Sequence, residues 1–231
     1  MRTTRRAAAA PTTAPPAKKR MIVHSAKKVK PGALKRMYES GEWSDLTITV
    51  KDSSKTFAVH KTVLCPAWEF ARAACTRGFV ESKTSSIELP ESEAVVDAIL
   101  RYYYELPFKI PSAPTLDTLV KLRVAIDKYG TEGLVREVEQ TFKQYMEGED
   151  YPVLINTGLL VFAEAGECMG KMQQAIAEAT GSKMSEIVRD VEIWSKMQES
   201  PEFLRTTLLE ILPSPPVLLS SDSDESSSSD E

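Results

Sequence analysis

Asp45-Leu46-Thr47-Ile48-Thr49-Val50 is the stretch from which the fold can be read. Its apolar residues alternate strictly, so Leu46, Ile48 and Val50 share one face of a strand. Lys51-Asp52-Ser53-Ser54 supplies turn residues, and Phe57 and Val59 resume the alternation. The pair predicts a β-hairpin. Val63 to Cys75 then reads as helical, interrupted or started by Pro66. Ile87 and Leu89 make a short third strand ending at Pro90.

Further along, the apolar period changes from two to 3.6. Ser92 is placed to cap a helix whose Val96, Ile99, Leu100 and Tyr103 fall on one face. Residues 107–114 (PFKIPSAP) form a proline-punctuated loop. Leu116, Leu119, Leu122, Ile126 and Tyr129 predict the next helix, with Gly130 at its stop. Thr131 opens another, buried through Leu134, Val138, Phe142 and Tyr145. Beyond Asp150 the pattern is helical only, over 153–165, 169–180, 183–198 and 201–212. Ser200 as cap and Pro201 at the first helical position mark the start of the last of these. Pro213, Pro215 and Pro216 end the fold. Strands early and helices late make the class α+β.

Composition agrees with a folded body. Of 231 residues, 42% are hydrophobic and 27% charged, which excludes wholesale disorder. The longest nearly apolar run, Val153 to Ala163, contains Asn156 and Thr157 and falls far short of the ~20 residues a membrane span needs. A soluble protein with no membrane partner is expected. The net charge of −4 conceals three regions: eleven Lys or Arg and no acid in residues 1–36, five acids and no base in 222–231, and −10 between them. Cys65, Cys75 and Cys168 show no C-x-x-C spacing and read as reduced thiols of an intracellular protein. With only His24 and His60 beside them, structural zinc is not expected.

The expected organisation is a disordered basic arm over 1–36, a globular domain over 37–147, a helical extension over 148–213 and a disordered acidic, Ser-rich tail over 214–231. Lys18, Lys19 and Arg20 with Lys27, Lys28 and Lys30 form two basic clusters of the kind a nuclear-import signal uses. An acid-free, Arg-containing start also fits a mitochondrial presequence, although Pro11, Pro15 and Pro16 oppose its amphipathic helix. A solvating tail is the third reading. Nucleus is the expected location, with cytoplasm as the alternative.

Taken in order, Asp45 to Val50, FAVHKTVLCPAWEFARAAC (57–75), GFVESKTSSIELP (78–90) and AVVDAILRYYYEL (94–106) resemble a BTB/POZ domain. In that family a strand opening with D-L is followed by F-x-x-H-K-x-x-L, an F-x-E-S segment before a short strand, and a helix ending in aromatic residues. The likeness covers about 45–147 and is nearest to short fungal members, which carry G-E-W/Y-S-D-L and a D-K-Y-G helix end, here Asp127 to Gly130. Ala67-Trp68-Glu69-Phe70 departs from the usual S-x-x-F.

The resemblance implies a protein–protein interaction module. It places Phe79, Val80 and Glu81 on the segment through which many BTB proteins grip the cullin scaffold of a ubiquitin ligase, for which this chain would be a substrate adaptor. It also places Asp45 and Lys61 on the charged pocket of transcription-factor members, here with a structural ion pair as the plainer role. The family's homodimerisation is left open: Leu34, Met37 and Tyr38 give a weak stripe, which does not support a long swapped helix. The alternative is a nuclear scaffold or co-regulator. Val217-Leu218-Leu219 before SSDSDESSSSDE resembles a SUMO-interacting motif, an apolar strand beside acids. Ser221, Ser227 and Ser228 each precede an acid by three residues, as acidophilic kinases prefer.

No enzyme is expected. There is no G-x-S-x-G, no P-loop and no adjacent pair of glycines, so no cofactor is expected either. His60 reads as a satisfied structural histidine rather than a general base. Cys65 and Cys75 read as small buried hydrophobes. The basic arm lacks interleaved aromatics, which argues against specific nucleic-acid recognition.

Overall fold

Leu46–Val50 (β1) is the middle strand of a three-stranded sheet. It pairs antiparallel with Thr56–Val59 (β2) and parallel with Ser86–Leu89 (β3). The register sets Ile48 opposite both Phe57 and Ile87. Leu46, Ile48 and Val50 are buried and the two threonines between them are half-buried, as strict alternation requires. The computed structural model describes residues 32–51, 53–76, 78, 80–110, 115–164 and 166–212. The basic clusters at 18–30 and the tail residues 217–228 lie outside them.

The basic arm was expected to reach residue 36, but Ala33–Ser40 is a helix (α1). Leu34, Met37 and Tyr38 pack against the core, and Tyr38 donates to Asp97. This apolar burial recruits the end of the arm into the fold. Gly41 ends the helix in the left-handed region, its N–H on Met37 O at 2.9 Å.

Between β2 and β3 lie three short helices, Lys61–Ala67 (α2), Glu69–Thr76 (α3) and Val80–Thr84 (α4). Pro66 sits inside α2, and the chain turns at Trp68 instead. That extended residue drives its indole into the core, stacked on Tyr103 at 5.0 Å, with Nε1 donating to Tyr129 O at 3.1 Å. Burial of so large an aromatic outweighs the local preference of the proline.

Helices Glu93–Tyr103 (α5), Leu116–Tyr129 (α6) and Val135–Met146 (α7) follow. Ser92 precedes α5 but makes no side-chain cap, whereas Thr115 accepts from Thr118 N–H at the start of α6. Gly130 stops α6 at φ +66°. Tyr145 is exposed and Met146 takes the buried place expected of it, because Leu134, Val138 and Phe142 continue through 146 at helical spacing.

The C-terminal region comprises Tyr151–Ala163 (α8), Gly170–Gly181 (α9), Met184–Ile187 (α10), Val191–Met197 (α11) and Pro201–Ile211 (α12). The single helix expected over 183–198 is two, because Asp190 accepts Ile193 N–H and starts a new one. Ser200 caps α12 through Phe203 N–H, with Pro201 next. Gly158 admits the Phe203 ring: a Cβ there would collide with it. One hydrophobic core runs from Leu46 to Phe203 without a break. Among the described residues no helix is long and apolar enough to cross a membrane.

His60 is 2% exposed at the junction of β2 and α2. Its backbone N–H donates to Tyr104 Oη at 2.9 Å, Nδ1 lies 2.7 Å from the same hydroxyl, and Nε2 lies 2.7 Å from Glu42 O. A carbonyl only accepts, so Nε2 carries the proton and Nδ1 accepts from Tyr104. Every polar atom of the junction is thereby satisfied in the neutral form.

Burial pushes the Tyr104 hydroxyl up to about 12, opposed by the His60 backbone bond and reinforced by Asp45. The unfolded tyrosine ionises near pH 10. Its contribution is therefore complete below about pH 10 and lost as pH rises toward about 12. Tyr104→Phe orphans the His60 N–H and Nδ1 and is expected to cost about 2–4 kcal/mol in urea unfolding at neutral pH. The variant should also lose less stability than the parent between pH 9 and 11.

Candidate protein-interaction surface

The surface around α4 is set by three contacts that begin with Asp45 and Lys61. Asp45 Oδ1 accepts the backbone N–H of Lys61 at 2.7 Å, neutralising an orphan donor at the start of α2. The Lys61 ammonium turns instead to Ser85 Oγ at 2.8 Å. Asp45 and Lys61 therefore meet through main chain, not as the ion pair expected of them. A helix-end N–H competes better for this carboxylate than a solvated ammonium that has a hydroxyl within reach.

Ser85 links this site to the short helix. It holds φ +51°, uncommon for a residue with a Cβ, and its carbonyl accepts Thr47 N–H at 3.0 Å. The α4–β3 turn is thus pinned from β1 through main chain and from α2 through Lys61. Nothing in the local sequence marks Ser85, whose role depends on a partner 24 positions away.

On the helix so positioned, Val80 is 71% exposed and Glu81 is half-buried. Glu81 makes no hydrogen bond or ion pair among the described residues. Phe79 lies outside the described residues. Helix α4 packs on α3 and β3, with Val80, Lys83 and Thr84 exposed. The local arrangement is an apolar side chain beside an acidic one on a fixed turn of helix. It can bind but offers no nucleophile–base pair.

The other candidates fall elsewhere. His60 is consumed by Tyr104 and Glu42. Cys65 and Cys75 are half-buried rather than fully buried, because α2 and α3 are short and meet near the surface. Among the described residues no group of three or more His, Cys, Asp or Glu could hold a metal ion. A cavity of about 520 Å³ opens where β1, the start of α5 and α6 meet, floored by Val50, Val95 and Val124 and rimmed by Glu93 and Glu164.

Residues 34–145 match the family model of the BTB/POZ domain. They are a BTB/POZ domain. A stretch of 116 residues is 33% identical to a BTB/POZ domain-containing protein of Arabidopsis thaliana, covering 49% of this chain. The chain spans only 14% of the plant protein's length. BTB/POZ domains are protein–protein interaction modules, and they commonly bind cullins and dimerise.

The Asp45 contact separates charge from geometry. Asp45→Ala should lower stability by about 1 kcal/mol, the usual worth of a carboxylate at a helix start. Asp45→Asn, which still accepts a hydrogen bond, should recover most of it. Chemical denaturation midpoints of the two variants check this.

Proposed function

We propose that this chain is a non-enzymatic substrate adaptor that brings a cullin-based ubiquitin ligase to another protein. The exposure of Val80 beside the Glu81 carboxylate on α4, which has no partner among the described residues, carries the reading. An apolar anchor entering a pocket next to a carboxylate that meets a base gives both affinity and register. Phe79 is the second anchor. The helical extension over 148–213 either presents the substrate protein or broadens the cullin surface. Likeness to short fungal members rests on Gly41 to Leu46 and on Asp127 to Gly130.

Calorimetric titration of the full chain with the N-terminal domain of a BTB-binding cullin tests the proposal. Glu81→Ala should weaken binding at least tenfold, equivalent to about 1.4 kcal/mol. The double variant Phe79→Ala/Glu81→Ala should abolish it. Unchanged affinity in a folded double variant would overturn the assignment.

A second reading rests on the tail. Val217-Leu218-Leu219 followed by acids has the chemistry of strand addition to a SUMO edge, in a nuclear scaffold or co-regulator imported through Lys18, Lys19, Arg20, Lys27, Lys28 and Lys30. Phosphate at Ser221, Ser227 or Ser228 would add about −1.5 to −2 charges each and strengthen the contact. Alanine at 217–219 should remove SUMO binding measured by NMR titration; a parent tail that leaves the SUMO spectrum unmoved would dismiss this reading.

A further inference from the structure

Cys65 on α2 and Cys75 in the last turn of α3 are brought together by the bend at Trp68. Cys65 Sγ lies 4.0 Å from Ala71 O. That carbonyl is one turn before Cys75, at the position that takes the Cys75 N–H in a helical ladder. Helical side chains lean toward the N-terminus, so the Cys75 sulfur hangs over the same turn. The Cys75 side chain acts on the Cys65 thiol, so the two sulfurs are neighbours across the α2–α3 contact. Both are half-buried, within reach of a small oxidant. Cys168 belongs to the short 3-10 turn Glu167–Met169, which packs on α6 and α9.

We propose that Cys65 and Cys75 form a redox-responsive dithiol, closed to an intramolecular disulfide by a peroxide and reopened by a thiol reductant. Burial and the neighbouring sulfur push the Cys65 thiol up to about 11, with Lys61 opposing. Cys65 keeps its proton, held toward Ala71 O, and Cys75 makes the first attack. Attack by Cys75 on hydrogen peroxide forms an S–O bond and breaks the O–O bond, giving a sulfenic acid and one water. Cys65 then attacks the Cys75 sulfur. The S–S bond forms, the S–O bond breaks, and the leaving hydroxyl departs as a second water with the Cys65 proton. Two thiols and one peroxide become one disulfide and two waters. In an intracellular setting such a bond is transient and regulatory rather than structural.

Trypsin separates the two cysteines at Arg72, so the product has a defined signature. The folded full chain is treated with hydrogen peroxide, quenched, alkylated and digested without reductant. Peptides 62–72 and 73–77 should appear joined, two hydrogens lighter than their sum. Two of the three thiols should become unreactive, and dithiothreitol should restore both. Cys168→Ser should behave like the parent, and Cys65→Ser and Cys75→Ser should each lose the cross-link. Sulfinic acid without a cross-link, a bond to Cys168, disulfide-linked dimers as the main product, or closure only in urea would each overturn the proposal.

Discussion

A buried imidazole with a single hydrogen-bonding solution holds this domain together. His60 receives the Tyr104 proton, gives its own to Glu42 O and sends its backbone N–H back to Tyr104. The three residues come from the loop before β1, the end of β2 and the end of α5. Locking them together fixes where the sheet meets the helices. An imidazole turned to its other tautomer would set two acceptors or two donors face to face, so polarity as well as packing selects one arrangement. Trp68 repeats this logic on the helical side: its ring stacks on Tyr103 while its N–H caps the carbonyl of Tyr129.

From that junction the order extends outward to α4. Lys61 follows His60 directly, so fixing the imidazole also fixes the start of α2. Asp45 accepts from the Lys61 main chain, the Lys61 ammonium donates to Ser85 Oγ, and the Ser85 carbonyl accepts from Thr47. A five-residue helix has little stability of its own, since nucleation is unfavourable at this length. Tertiary anchors at its C-terminal end are what give Val80 and Glu81 a defined presentation. A binding element built this way loses less entropy on association than a flexible loop carrying the same residues.

Much of this was legible in the sequence where one periodicity acted alone. The alternation in 45–50 located the central strand, and the 3.6 period located α5, α6 and α7 to within a turn. The misses share a different cause. Tyr145 and Met146 are adjacent apolar residues, and only the observed helix phase decides which is buried. The break at Trp68 depends on Tyr103 and Tyr129, and the split at Asp190 is accompanied by a bond from Tyr151, 39 positions away. Asp45 and Lys61 were recognisable as neighbours. Which atoms meet depends on Ser85, which no local pattern announces. Glu81 was visible as a motif residue, whereas its lack of a described partner is a property of the fold.

The C-terminal helices constrain any mechanism that uses them. Glu139 on α7 pairs as an ion with Arg123 of α6 at 3.7 Å and with Lys171 of α9 at 3.3 Å, so one carboxylate joins the domain to the extension. Arg123 is buried, and removing its counter-charge would leave an unpaired guanidinium in low dielectric, a penalty of several kcal/mol. Phe203 then seals α12 onto α8 at Gly158, with Phe162 beside it at 5.1 Å. A continuous core and a shared buried charge favour movement of the two parts as one body over hinged motion. Under the proposed adaptor role, a protein bound to the extension would keep a fixed distance from α4, and flexing of this chain would not set the transfer geometry.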